Sequence, residues 1–157
     1  MGVIYVQSED EIVLKKVSVA ECFASNGFMD MVSEYRDTAF YEMHAQLPKQ
    51  EDYQRLEDTG TLFVFAVYVN KKIVGFTSLI KQYYPHSGAS FMTVESIFAC
   101  KAYRHLSVGA MLINAAKECA KQENALGLMF GAPYGSRLAE VYMRKFKPLN
   151  IVFWCAV

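Results

Sequence analysis

The chain lacks a long hydrophobic run. Stretches without a charged side chain such as Gln82 to Val94 and Thr59 to Asn70 fall short of the roughly 20 apolar residues needed to cross a bilayer. No basic, apolar, small-residue pattern follows Met1. A cytoplasmic protein with no membrane partner is the expectation. The sequence also lacks a C-x-x-C pair: Cys22, Cys100, Cys119 and Cys155 are scattered, and His44, His86 and His105 lack metal-ligand spacing. No metal is expected, and the four thiols read as reduced packing residues. There is no excess of either charge, since 16 Lys and Arg balance 16 Asp and Glu, so nothing resembles the basic stripe of a nucleic-acid binder. Repeats, linkers and low-complexity tracts are missing too. The 157 residues fit one domain, residues 1–157, large enough to bury about 68–70% of the surface of the unfolded chain without disulfides. A hydrophobic share of 53% excludes a disordered chain.

The balanced total conceals an uneven distribution. Residues 1–80 hold 12 acidic and 7 basic side chains, and residues 81–157 hold 4 and 9, so the halves carry −5 and +5. A basic C-terminal half suits an anionic ligand and an acidic N-terminal half a cationic one. Two mutually attracting halves suit the pattern equally well.

Periodicity supplies the order of elements. Val3 to Val6 reads as an edge strand, Ile12 to Val19 as a strand or the entry to a helix, and Ala20 to Ala45 as one or two helices. Glu51 to Leu56 reads as a short helix ending before Gly60. Thr61 to Asn70 and Ile73 to Tyr84, dense in Val and aromatics, predict a β-hairpin turning at Asn70 to Lys72, with Phe91 to Cys100 as the third strand of a meander. Val108, Met111, Leu112, Ala115, Ala116, Cys119 and Ala120 then form one apolar helical stripe. Leu126 to Ala132 suits a buried strand, Ser136 to Phe146 a second amphipathic helix, and Ile151 to Val157 a closing strand.

The segment Tyr103-Arg104-His105-Leu106-Ser107-Val108-Gly109-Ala110 lies between a strand and the best helix. A turn there exposes backbone N–H groups at a helix N-terminus, where the dipole favours phosphate, and it is small enough for close approach. That describes a pyrophosphate site. Ser107 as an ordinary N-cap and Gly109 as a packing glycine explain the same residues.

From residue 62 to residue 157 the order of elements and three motifs resemble the GNAT superfamily of acyl-CoA-dependent N-acyltransferases. Arg104-His105-Leu106-Ser107-Val108-Gly109 takes the place of R-G-x-G-x-G, Val74-Gly75 that of the hairpin's "IVG", and Tyr142-Met143-Arg144-Lys145-Phe146 that of "Y-x-x-x-G-F". The chain also looks like the small GNAT proteins of bacteria and their phages, which carry a Glu in the strand before the loop, as Glu95 does here. His105 and Ser107 replace two glycines, Lys101 a usual Pro, and Gly135 a common Asn. The resemblance implies an α/β GNAT fold, a mixed and mostly antiparallel central sheet flanked by helices and splayed between its fourth and fifth strands, those at 91–100 and 126–132. It implies transfer of an acetyl group from acetyl-CoA, a co-substrate, to the primary amine of a small molecule or peptide. A fold kept as a binding module with weak or no catalysis is the alternative, a nucleobase amine is a less favoured acceptor, and a homodimer is left open.

Roles follow from the resemblance together with the chemistry. Direct attack of an amine on a thioester needs a base, oxyanion donors and an acid for the thiolate. Glu95, the only acidic residue between Asp58 and Glu118, is the candidate base, and its apolar strand suggests desolvation that would raise its pKa. A structural carboxylate is the other reading. Tyr142 shares an apolar helix face with Leu138, Val141 and Phe146 and on spacing alone is a core tyrosine; the resemblance makes it the acid. The resemblance also implies that the backbone of Ile97, Phe98 and Ala99 holds the pantetheine arm, and that Arg104, His105, Leu106, Ser107, Val108, Gly109 and Ala110 surround the phosphates, with Lys101 as an added cation. For the acceptor, Asp30, Glu34, Asp37 and Glu42 suggest an acidic wall for a polyamine, aminoglycoside or lysine, and Tyr35, Tyr41, Tyr83 and Tyr84 a possible lining; a solvated helix face explains the acids as well.

Overall fold

Two antiparallel strands, Val3–Gln7 (β1) and Asp10–Val17 (β2), lead the chain in the computed structural model, which describes residues 2–7, 10–38 and 47–149. Three helices follow: Val19–Phe23 (α1), Phe28–Thr38 (α2) and Gln50–Asp58 (α3). Ser18 caps α1 by accepting from the Glu21 N–H, an S-x-x-E start that settles the ambiguity of residues 12–19 in favour of a strand ending at Val17. Gly27, at φ 85°, breaks the helical tract between α1 and α2.

Leu62–Val69 (β3), Lys72–Tyr84 (β4) and Ala89–Ala99 (β5) form the meander. The β3–β4 turn is the two-residue loop Asn70–Lys71, with φ 49° and 66°, whose twist matches the flanking strands. After a short 3-10 helix, Lys101–Leu106, come helix Val108–Gln122 (α4), strand Leu128–Met129 (β6) and helix Arg137–Lys145 (α5). The strand expected over 126–132 is thus two residues long. The closing strand expected at 151–157 lies outside the described residues.

The sheet runs β1-β2-β3-β4-β5-β6, antiparallel except for the parallel β5–β6 pair. Both N-terminal strands join it, so the opening lies between its fifth and sixth strands rather than its fourth and fifth. Strand β3 is buried on both faces, which explains its uninterrupted apolar run. Leu62, Val64, Ala66 and Tyr68 pack with Val19, Cys22, Phe28, Met31 and Val32 of α1 and α2. On the opposite face Val67, Val69 and Val74 pack with Val108 and Leu112 of α4, and Phe63, Leu79 and Met92 with Ala116, Cys119 and Ala120. The predicted stripe of α4 is therefore its buried side. Gly75 permits this close approach, because a Cβ there would lie 2.6 Å from Val108 Cγ1 and 3.0 Å from the Phe98 carbonyl. No helix among the described residues is long and apolar enough to cross a membrane.

Candidate active site

Strands β5 and β6 pair only at Met92 with Leu128 and Thr93 with Met129. Beyond that point β5 continues alone to Ala99. The Cys100 N–H donates to Val74 O at 2.9 Å, and the register sets Phe98 opposite Phe76 and Ala99 opposite Gly75. By the alternation of an antiparallel ladder, the main chain of Phe98 faces β4, while Ile97 and Ala99 face the edge that β6 leaves. Of the three residues expected there, two therefore present open backbone. The Ala99 carbonyl accepts from Arg104 Nε at 2.9 Å, so one of these acceptors already has a partner.

At the end of that edge stands the N-terminus of α4. Its first turn holds no acidic residue, and the first intrahelical bond runs from the Met111 N–H to Ser107 O. Val108, Gly109 and Ala110 precede that bond, so their N–H groups have no partner within the helix. A Cβ on Gly109 would meet nothing within 4 Å. Ser107 is no ordinary N-cap, because its side chain makes no capping bond and its backbone is left-handed at φ 61°, a conformation glycine adopts without strain. His105 and Ser107 are exposed, as are Lys101 and Arg104, whereas Leu106 is a buried packing residue. The guanidinium of Arg104 lies 5.8 Å from the centre of the Phe98 ring.

Glu95 is the extra residue of a β-bulge: Ser78 opposes Ser96 and Leu79 opposes Val94, leaving Glu95 unmatched. Bulges re-aim side chains in this way. Its carboxylate accepts from Ser78 Oγ at 2.6 Å and from the Tyr53 hydroxyl at 3.5 Å. Glu95 is exposed, so the burial expected from its apolar strand is not there. Ser96 is buried, and its hydroxyl lies 3.3 Å from that of Tyr35. Burial, and after it the neighbouring Glu95 charge, pushes the Tyr53 hydroxyl up, and Tyr35 rises from burial as well.

Next to this cluster a cavity of about 120 Å³ opens between α1–α3 and the sheet, lined by Phe23, Phe28, Phe76 and Val64 among others, with Ser78 and Ser96. Among the described residues no member of the expected acidic wall lines it. Glu34 accepts from the Lys101 N–H at 2.6 Å, Asp30 faces Lys72 at 4.0 Å, Asp37 is exposed, and Glu42 lies outside the described residues, as does Tyr41. Tyr83 and Tyr84 are exposed at the far end of the hairpin, leaving Tyr35 as the expected tyrosine that lines the cavity. Sequence reading missed Tyr53, Ser78 and Ser96. The available signal was a polar interruption in each of two apolar strands, Thr77-Ser78 and Glu95-Ser96.

Tyr142 is 8% exposed and packs against Phe130 and Phe146, with ring centres 5.1 and 5.7 Å away. Its buried hydroxyl has no hydrogen-bond partner among the described residues, and burial pushes it up to about 12. An unpaired buried hydroxyl costs about 1–3 kcal/mol. The thiols are unsuited to nucleophilic work: burial pushes Cys22 up to about 12 and Cys100 up to about 11, and Cys155 lies outside the described residues. Among the described residues no group of His, Cys, Asp and Glu is arranged to hold a metal ion.

A parted sheet edge leading to unpaired amides at a helix N-terminus defines a class, and the comparisons agree with it. Residues 29–151 match the acetyltransferase (GNAT) family. The chain belongs to that family. Among solved structures, an aminoglycoside acetyltransferase from an uncultured soil metagenomic sample, in complex with sisomicin, is 15% identical with a TM-score of 0.72, covering 93% of this chain and 96% of its own. The ribosomal-protein-alanine N-acetyltransferase of Brucella melitensis biovar Abortus 2308 is 14% identical with a TM-score of 0.70, covering 93% and 98%. Glucosamine-6-phosphate N-acetyltransferase from Arabidopsis thaliana is 12% identical with a TM-score of 0.66, covering 93% and 97%. At these identities the likeness is one of fold. No curated protein sequence matches the chain.

Proposed function

We propose that residues 1–157 act as one cytoplasmic domain that transfers an acetyl group from acetyl-CoA to the primary amine of a small molecule or peptide. The observation that carries this reading is the parting of β5 from β6 beside the free N–H groups of α4. Those N–H groups suit a diphosphate, with the open space at Gly109 admitting close approach and Arg104, His105 and Lys101 exposed around it. The main-chain groups of Ile97 and the N–H of Ala99 suit an extended amide-bearing arm that adds to the sheet as a strand would, with the Ala99 carbonyl held by Arg104. When bound, acetyl-CoA supplies the thioester carbonyl.

Glu95 takes a proton from the ammonium, directly or through water, and two donors already orient its carboxylate. The Ile97 and Ala99 N–H groups face the oxygen that gains charge. Tyr142, held protonated by burial, donates to the sulfur. The C–N bond forms as the C–S bond breaks; of the two protons the nitrogen loses, one ends on sulfur and the other in solvent. Thermal shift tests the reading first. Acetyl-CoA at about 100 times its dissociation constant stabilises by about 2.7 kcal/mol, a rise of roughly 5–10 °C for a chain this size. No shift defeats the reading and favours a fold kept only for binding other partners.

A further inference from the structure

We infer that the acceptor is a monoamine bearing one aromatic ring or a branched aliphatic group of similar bulk, seated in the cavity beneath α1–α3 with its nitrogen at Glu95. This deepens the acetyltransferase reading and rests on it. The cavity measures about 120 Å³, somewhat below the roughly 150 Å³ of an apolar protein cavity known to take up benzene. Its apolar lining includes Val19, Phe23, Phe28, Val32, Val64 and Phe76. Ser78, Ser96 and the tyrosines Tyr35 and Tyr53 also line it, and Ser78 and Tyr53 both donate to Glu95. Apart from Arg36, the described wall is thus apolar with four hydroxyls, two of which donate to Glu95 just outside the lining. A carboxylate offers about four lone-pair sites, so Glu95 keeps room for an ammonium after its two donors.

Charge then separates amine classes. Among the described residues the only charged side chain lining the cavity is Arg36, and no acid lines it. The second ammonium of a polyamine, or the several of an aminoglycoside, would enter beside a guanidinium with no carboxylate among the described lining residues to pair with, and burying an unpaired charge is costly. Glu95, held by two of the lining hydroxyls, matches a single positive charge.

The test measures free-thiol release from acetyl-CoA with 2-phenylethylamine, isoamylamine, ethylamine, spermidine and sisomicin, alongside the acetyl-CoA thermal shift. Burying a ring or branched group predicts a kcat/KM for the two bulky monoamines about 10- to 100-fold above that for ethylamine, with spermidine and sisomicin poorer still. Val64→Phe, which fills the cavity, raises KM for 2-phenylethylamine about tenfold or more and moves ethylamine much less; Val32→Ile, a milder filling, gives a smaller change in the same direction. An acetyl-CoA shift with release only from spermidine or sisomicin, or from no amine, overturns the inference alone. So does a filled variant that melts higher and keeps wild-type kinetics for 2-phenylethylamine, which would mark the cavity as a packing void. No acetyl-CoA shift and no release overturns the acetyltransferase reading beneath it.

Discussion

The two faces of the sheet are built from different materials. On the α4 face the candidate cofactor corner is backbone: the open edge at Ile97 and Ala99, three N–H groups without partners in the helix, Gly75 where a side chain would obstruct, and open space at Gly109. On the α1–α3 face the candidate acceptor cavity is side chain, assembled from three helices and three strands. Backbone sites tolerate substitution because most residues supply the same N–H, whereas a side-chain cavity changes with every wall residue. A family can therefore keep one corner and vary the other face, and Glu95 stands between the two because a bulge re-aims it.

The largest expected effect falls on Tyr142 of α5, which belongs neither to the corner's described backbone nor to the cavity lining. Losing a proton-transfer group typically costs about 10²–10⁴ in rate, so Tyr142→Phe lowers turnover at least tenfold while the dissociation constant for CoA barely moves. Its hydroxyl is unpaired, so the variant melts at or above the wild-type temperature. Activity lost without stability marks the hydroxyl as functional, and unchanged turnover makes Tyr142 a core residue only.

Alkaline titration probes the same group. Its neutral form is favoured in the folded chain, where the pKa stands near 12 against a usual 10.0. The corresponding stability is present in full below pH 10 and declines as pH rises through 12, by about 2.7 kcal/mol at most. Urea melts at pH 9 and pH 11 should show a decline that is smaller in Tyr142→Phe.

On the backbone side, Gly75→Ala forces a methyl into Val108 and the Phe98 carbonyl, which costs about 1–3 kcal/mol and weakens CoA binding as α4 is pushed from the sheet. A variant that melts normally would show that the close approach is dispensable. The smallest effect runs the other way. Ser107→Gly relieves a left-handed residue and stabilises by about 1 kcal/mol, a rise of roughly 2–4 °C in Tm. CoA affinity holds or improves, because the exposed hydroxyl at the corner is removed.

The legibility of the two faces differed for the same reason. The stripe from Val108 to Ala120, the hairpin and the segment from Arg104 to Gly109 are local patterns, and the folded chain keeps them where periodicity set them. The strand expected over 126–132 shrank to Leu128–Met129, since its length depends on where β5 stops pairing. The acid run of α2 suggested an anionic wall, yet Glu34 turned to the Lys101 N–H and Asp30 to Lys72. Nothing in residues 30–37 announces partners about 40 or more positions away.

By itself the sequence determined the elements with short-range causes: the runs dense in Val and aromatics of β3 and β4, the apolar face of α4, and the run of small residues at its start. Tertiary structure alone decided where β5 and β6 part, that Glu95 emerges from a bulge beside Ser78 and Tyr53, and that aromatic residues from distant segments enclose a cavity. Hydrogen-bond ladders and helix stripes repeat every two or 3.6 residues and can be counted along a chain. A cavity is the space left when separate elements pack, and no residue carries it alone.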